Sequence, residues 1–218
     1  MPPSTRHSAP ATLVVFVHGM GRTPLSGWPL LHRLKRAGLR TATFGYVVTF
    51  ESFTTIQRRL VSRLTRIAGE QDYVLVGHSL GGVLIRAALN SLPQHVKRPS
   101  RVFLLGSPLQ ASRLAVRLKR NALYRALTGD CGQLLASPER MNEIGSLHEL
   151  TTSIVGIWRI ANGKGPFGNE PNDGIVSVGE ASASWLSDQR QVPVFHTLLP
   201  ASGKVAELIL REIVPNAE

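Results

Sequence analysis

The chain of 218 residues has one cysteine, Cys131. An internal disulfide is therefore excluded, and such usage fits a reducing compartment. Cys131 itself reads as a small, incidental side chain. Acidic residues are scarce: 14 Asp and Glu face 25 Lys and Arg, a formal charge of +11. Aromatics, at 6% of the chain, do not interleave with the basic clusters, and no nucleic-acid motif accompanies them. Nucleic acid is therefore not an expected partner. No apolar run approaches the ~20 residues of a membrane helix; Leu13-Val14-Val15-Phe16-Val17 is strand-sized. The first dozen residues are polar and proline-bearing, without the apolar core of a signal peptide. A cytoplasmic location is the expectation. Repeats and low-complexity tracts are also missing.

What is present is a chain 43% hydrophobic, enough for one α/β domain over residues 1–218 with a sizeable core. Short β-branched runs predict strands at 12–17, 40–46, 73–76, 101–105, 152–158 and 191–195. Helical periods fall between them, at about 28–37, 54–68, 82–92 and 204–213. In 54–68, Ile56, Leu60, Val61, Leu64 and Ile67 recur on one side, with Arg58, Arg59, Arg63 and Arg66 opposite. Residues 109–149 are helical in parts, and a loop rich in Gly, Asn and Pro runs from the end of the fifth strand to Asp173. Strands alternating with helices predict a mostly parallel sheet of about six strands with helices on both faces. Chemistry in such sheets gathers at the carboxyl ends of the strands.

Those ends carry the informative residues. Gly77-His78-Ser79-Leu80-Gly81 is a G-x-S-x-G pentapeptide between a predicted strand and a predicted helix. That context is a nucleophile elbow, in which a sharp turn lifts the serine oxygen above the sheet. A serine hydroxyl needs a base, and the base needs a carboxylate to orient it. Of seven histidines, His196 ends the last predicted strand. His7 and His32 fall in a tail and a helix, His18 in a loop after the first strand, His78 inside the elbow and His95 in a polar loop. His148 also follows Ser79, but precedes the candidate acid. Among the acids, Asp72 and Asp188 fall at the amino ends of strands and Asp130 lies in the 109–149 segment. Asp173, in Asn172-Asp173-Gly174, follows the fifth strand. The order Ser79, Asp173, His196 is the one that this elbow uses. An oxyanion hole would take the amides of Leu80 and Met20.

With these residues in place the chain resembles the α/β-hydrolase superfamily, in its bacterial lipase and small-esterase branch. The resemblance rests on five blocks in order. They are Val17-His18-Gly19-Met20-Gly21-Arg22-Thr23, Gly77 to Gly82, Leu105-Gly106-Ser107-Pro108, Asn172 to Val178, and Val194-Phe195-His196-Thr197. It implies Ser79 as nucleophile, Asp173 and His196 as its partners, and Met20 and Leu80 as oxyanion donors. Residues before Leu13 are too few for the two leading strands of the full sheet, so a minimal six-stranded form is expected. Residues 109–149 stand where such folds insert a helical cap. No cofactor is expected, and without a second acidic pair near His196 neither is a calcium ion.

The reaction so implied is hydrolysis of a carboxylic ester through an acyl-enzyme. An acyltransferase or thioesterase would use the same three residues, and a basic surface-binding protein would use the fold as a scaffold. Leu109, Trp158, Phe167, Ile175 and Leu198 are the residues expected to line an acyl pocket with Met20. Leu114, Leu118, Ala122 and Leu123, opposite Arg113, Arg117 and Arg120, suggest one amphipathic helix edging the site. The basic clusters fit solvated helix faces or an anionic membrane surface as peripheral partner. The oligomeric state is not legible.

Overall fold

The computed structural model describes residues 12–158 and 165–214. His7 and part of the loop expected before Asp173 lie outside them. Six strands form one parallel sheet in the order β2-β1-β3-β4-β5-β6. They are β1 (Leu13–Val17), β2 (Arg40–Phe44), β3 (Tyr73–His78), β4 (Arg101–Leu105), β5 (Thr151–Gly156) and β6 (Asp188–Val192). The helices are α1 (Trp28–Arg36), α2 (Phe53–Glu70), α3 (Leu80–Asn90), α4 (Arg113–Leu118), α5 (Ala122–Leu135), α6 (Pro138–Glu143) and α7 (Gly203–Ile213).

The period of two along each strand divides the core. Leu13, Val15, Val17, Leu75, Val102 and Leu104 face α2, α3, α5 and α6. Val14, Phe16, Val74, Val76, Phe103 and Leu105 face α1 and α7. Because both faces are covered, the central strands read as continuous apolar runs. The edges are polar, RTATF in β2 and DQRQV in β6, which discourages pairing with another sheet. From β1 the chain moves outward to β2, then returns past β1 to β3 and runs on to β6. The connections leaving β1 and β3 therefore diverge, and the crevice between their carboxyl ends is a topological switch point.

Two expectations need correction. β6 starts at Asp188 and stops at Val192, because Pro193 lacks the N–H a further ladder bond needs. His196 therefore opens a 3₁₀ turn, His196–Ala201, and does not end a strand. The single amphipathic helix is two. α4 stops at Leu118, and the Asn121 side chain caps a new helix by accepting the Tyr124 amide at 2.9 Å.

α3 is buried nearly all round, between the sheet and α2. That includes Arg86, whose guanidinium donates to the carbonyls of Leu109 and Gly145 and lies over the Trp185 ring. Burial without a carboxylate partner pushes its pKa down to about 10. Arg86 so ties both ends of the 109–149 segment to the elbow helix.

Gly81 decides how closely that helix meets β1: a Cβ there would lie 2.1 Å from the Val17 carbonyl oxygen. Gly81→Ala is expected to lose ~1–3 kcal/mol through overpacking against backbone. Gly69→Ala, in the exposed last turn of α2 with open space around it, is expected to gain ~0.4–1 kcal/mol. Chemical denaturation of both variants checks the pair.

Candidate active site

Ser79 stands between the last residue of β3 and the first of α3, with φ of 53° and ψ of −122°. Among the described residues no other non-glycine has positive φ. Such a conformation costs on the order of 1–3 kcal/mol and persists only where its surroundings hold it. Here the Ser79 amide donates to the Leu105 carbonyl at 2.9 Å, and the Ser79 carbonyl accepts from Gly82 at 3.0 Å. The side chain stays partly exposed.

The other two residues arrive from the far end of the chain. His196 Nδ1 donates to Asp173 Oδ2 at 2.7 Å, and both residues are buried. The second carboxylate oxygen accepts from the amides of Val176 at 2.7 Å and Ile175 at 3.0 Å. The His196 amide donates to the Asp173 carbonyl at 3.0 Å, so backbone as well as side chains join the two. With Nδ1 engaged, Nε2 is the nitrogen left to exchange a proton. Gly106, next to the Leu105 carbonyl that holds Ser79, passes under the pair; a Cβ on it would lie 2.9 Å from both Asp173 Oδ2 and His196 Nδ1. At the end of β5, Gly156 does the same for Asp173, whose Cβ would be 2.6 Å from an added methyl.

Two further histidines hold the frame. His18 is buried and stacked on Tyr46 with ring centroids 4.2 Å apart. The Tyr46 amide donates to its Nε2, so Nδ1 carries the proton and donates to the Gly19 carbonyl at 2.9 Å. Tyr46 Oη donates to the His18 carbonyl at 2.6 Å. The loop after β1 is thus fastened to the end of β2. His78 donates from Nε2 to the His196 carbonyl at 3.0 Å, with the two rings 4.8 Å apart. Burial, with His196 adding to it, holds His78 well below its ordinary pKa. Burial also lowers His18.

The acid turn has its own support. Buried Glu180 accepts the amides of Ser177 and Arg113. The Arg113 guanidinium pairs with Glu170, donates to Ser177 Oγ and covers the Phe167 ring. Arg113 therefore braces the Asp173 turn and is not a free surface cation. The competing acids are engaged elsewhere: Asp72 with Lys97, Asp130 with Arg140 and Asp188 with Arg190. His148 lies exposed in the loop that enters β5, at the opposite end of the sheet from Ser79.

The residues expected in an acyl pocket have different surroundings among the described residues. Leu109 is core, Trp158 packs on Phe195, Phe167 lies beneath Arg113, and Ile175 and Leu198 face outward. A cleft of about 620 Å³ opens beyond the ends of β1 and β2. It is walled by His18, Gly21 to Pro24, Gly45 to Thr49, Glu51, Arg59 and Leu127. Sequence reasoning missed it because the turn after β2 carries no motif. Met20 packs against the core beside it. The Met20 and Leu80 amides have no acceptor among the described residues. Among those residues no three His, Cys, Asp or Glu side chains group as a metal site would require. Cys131 is buried in the core, which pushes its thiol up to about 12.

A family model described as alpha/beta hydrolase matches residues 14–208. The chain belongs to the alpha/beta hydrolase family. No curated protein matches its sequence. Among solved structures it is similar to the mature lipase BlEst2 of Bacillus licheniformis, with a TM-score of 0.67 at 19% identity over 95% of this chain and 94% of that one. It is also similar to the RedJ thioesterase of Streptomyces coelicolor, with a TM-score of 0.62 at 18% identity over 96% and 91%. A third is from a study of the metagenome-derived lipolytic enzymes LipS and LipT, with a TM-score of 0.65 at 15% identity over 96% of each chain. At these identities the likeness is one of fold.

The two neutral histidines set a pH dependence for this hydrolase. Their folded pKa values lie below the unfolded value of about 6.5, so the unfolded chain binds more protons as the pH falls below it. Their stabilisation is full above that pH and is lost as pH falls from it towards the folded values. Melting temperature is expected to drop between about pH 7.5 and about pH 5.5, and less steeply in His18→Gln. Equal slopes would show that His18 contributes nothing.

Proposed function

We propose that the protein is a serine carboxylic-ester hydrolase of the esterase or lipase kind. The observation that carries this is the buried Asp173–His196 hydrogen bond, joined through Gly106 and His78 to the strained turn at Ser79. In this reading His196 Nε2 takes the Ser79 hydroxyl proton as Oγ attacks the ester carbonyl. Asp173, an acceptor at both oxygens, orients the ring and stabilises the imidazolium. The oxyanion of the tetrahedral intermediate takes hydrogen bonds from the amides of Leu80 and Met20. Collapse expels the alcohol, which leaves with the proton from His196. Water then attacks the acyl-serine, with His196 as base, and the acid is released. Thioester hydrolysis and acyl transfer differ only in the leaving group and acceptor.

A fluorophosphonate probe is expected to label the wild type and not Ser79→Ala. With p-nitrophenyl esters of graded chain length, Ser79→Ala is expected to lose turnover and Asp173→Asn to fall by ~10⁴. Full activity in Ser79→Ala would remove the assignment, and product analysis with water or an added alcohol separates hydrolysis from transfer.

An anionic lipid surface is the peripheral partner in this reading. Val47 and Leu127 wall the cleft, and Leu25, Phe50 and Leu123 stand exposed beside them. Exposed Arg120 and Arg125 flank Leu123. Sedimentation is expected with anionic vesicles at low salt and less at high salt or in Phe50→Ser. Equal binding to neutral vesicles would discard electrostatic docking.

A further inference from the structure

The cleft beside the loop after β1 has apolar walls, Pro24, Tyr46, Val47, Val48 and Leu127, and two guanidinium groups. Their situations differ. Arg59 pairs with Glu51, donates to the Gly45 carbonyl at 3.2 Å and lies 5.5 Å from the Phe44 ring centroid. It is a fixed part of the wall. Arg22 is exposed, and among the described residues its side chain makes no ion pair or hydrogen bond. The fold gains nothing visible from it.

Its position is closely determined all the same. The Arg22 amide donates to the Gly19 carbonyl at 3.2 Å, with Gly21 at φ +66° completing the turn. His18, at the root of that turn, is clamped by Tyr46. Gly19 packs on the elbow so closely that a Cβ on it would lie 3.2 Å from Ser79 Cβ. A four-residue turn keeps its ends within about 7 Å, so the Arg22 backbone stays within one turn's width of the residue that touches Ser79. The charge is felt there: Arg22 is among the groups that lower His78, after burial and His196.

We propose that Arg22 is a specificity-determining residue that binds an anionic oxygen group, phosphate or carboxylate, on an ester whose remainder fills the apolar cleft. This rests on the hydrolase reading and goes beyond it, by naming the charge of the substrate. A planar guanidinium takes two oxygens of one such group, and hydrogen bonds to charged partners are the stronger kind. Arg22 is not a catalytic residue here, since the group it binds is not the reacting carbonyl.

Two matched substrate pairs test the inference and locate the charge. The acyl-side pair is the p-nitrophenyl hemiester of glutarate against p-nitrophenyl pentanoate. The alcohol-side pair is octanoyl-glycerol phosphate against octanoylglycerol. In at least one pair, Arg22→Met is expected to lower kcat/KM for the anionic member by ~10–100-fold, mainly through KM, and to leave the neutral member unchanged. Arg22→Lys is expected to fall between, and the wild-type preference to shrink at high salt. The pair that responds tells which side of the ester carries the charge. Equal effects on both members, or none, in both pairs overturn the proposal. Labelling of Ser79 by a fluorophosphonate keeps the two readings apart. Labelling without a charge preference removes the role of Arg22 alone, and no labelling removes the hydrolase reading and this inference with it.

Discussion

The site depends on one constraint: the chain must turn from strand to helix within the single residue Ser79. A serine at φ 53° is unfavourable by itself, and the structure holds it there from three directions. β4 accepts its amide, α3 follows from its carbonyl, and β1 lies against Gly81. α3 is therefore packed on the sheet with no methyl group's width to spare. Its buried apolar surface, from Leu80 to Leu89, supplies the energy that keeps the turn in place. Each fully buried side chain of this size is worth ~1.5–3 kcal/mol, so a few of them offset the strain.

Electrostatics divides the histidines by task. His18 and His78 are buried, each donates from one ring nitrogen to a backbone carbonyl, and burial keeps both from charging. They act as neutral struts. His196 differs in having the Asp173 carboxylate on its inner nitrogen. The carboxylate in turn is held by two amides and by a turn that Glu180 and Arg113 brace. Helix α4, in the segment expected to serve as a cap, thus begins at a residue bonded to the acid turn, which couples the segment's position to the Asp173–His196 pair.

The cleft lies beyond the ends of β1 and β2, on one side of Ser79. Asp173 follows β5 and His196 follows β6, but the chain at His196 reaches back over the ends of β4 and β3, where Gly106 and His78 meet it. Strand order brings the elbow to the switch point, and this return of the chain brings His196 towards it.

By itself the sequence determined six strands, their alternation with helices and the turn at Ser79, because burial on two faces writes continuous apolar runs and a tight elbow demands glycine. Asp173 and His196 were legible only as candidates, from their places after the fifth and sixth strands. Other features were decided only by packing. The end of β6 followed from Pro193, and the break between α4 and α5 from the side-chain bond of Asn121 to Tyr124. Gly106 and Gly156 matter through neighbours 67 to 90 and 17 to 38 residues away in the chain, Asp173 and His196 for one, Asp173 and Val194 for the other. The cleft joins the loop after β1, the turn after β2 and one residue each of α2 and α5. Local patterns report which side of an element is buried; they do not report which distant loops the sheet brings together.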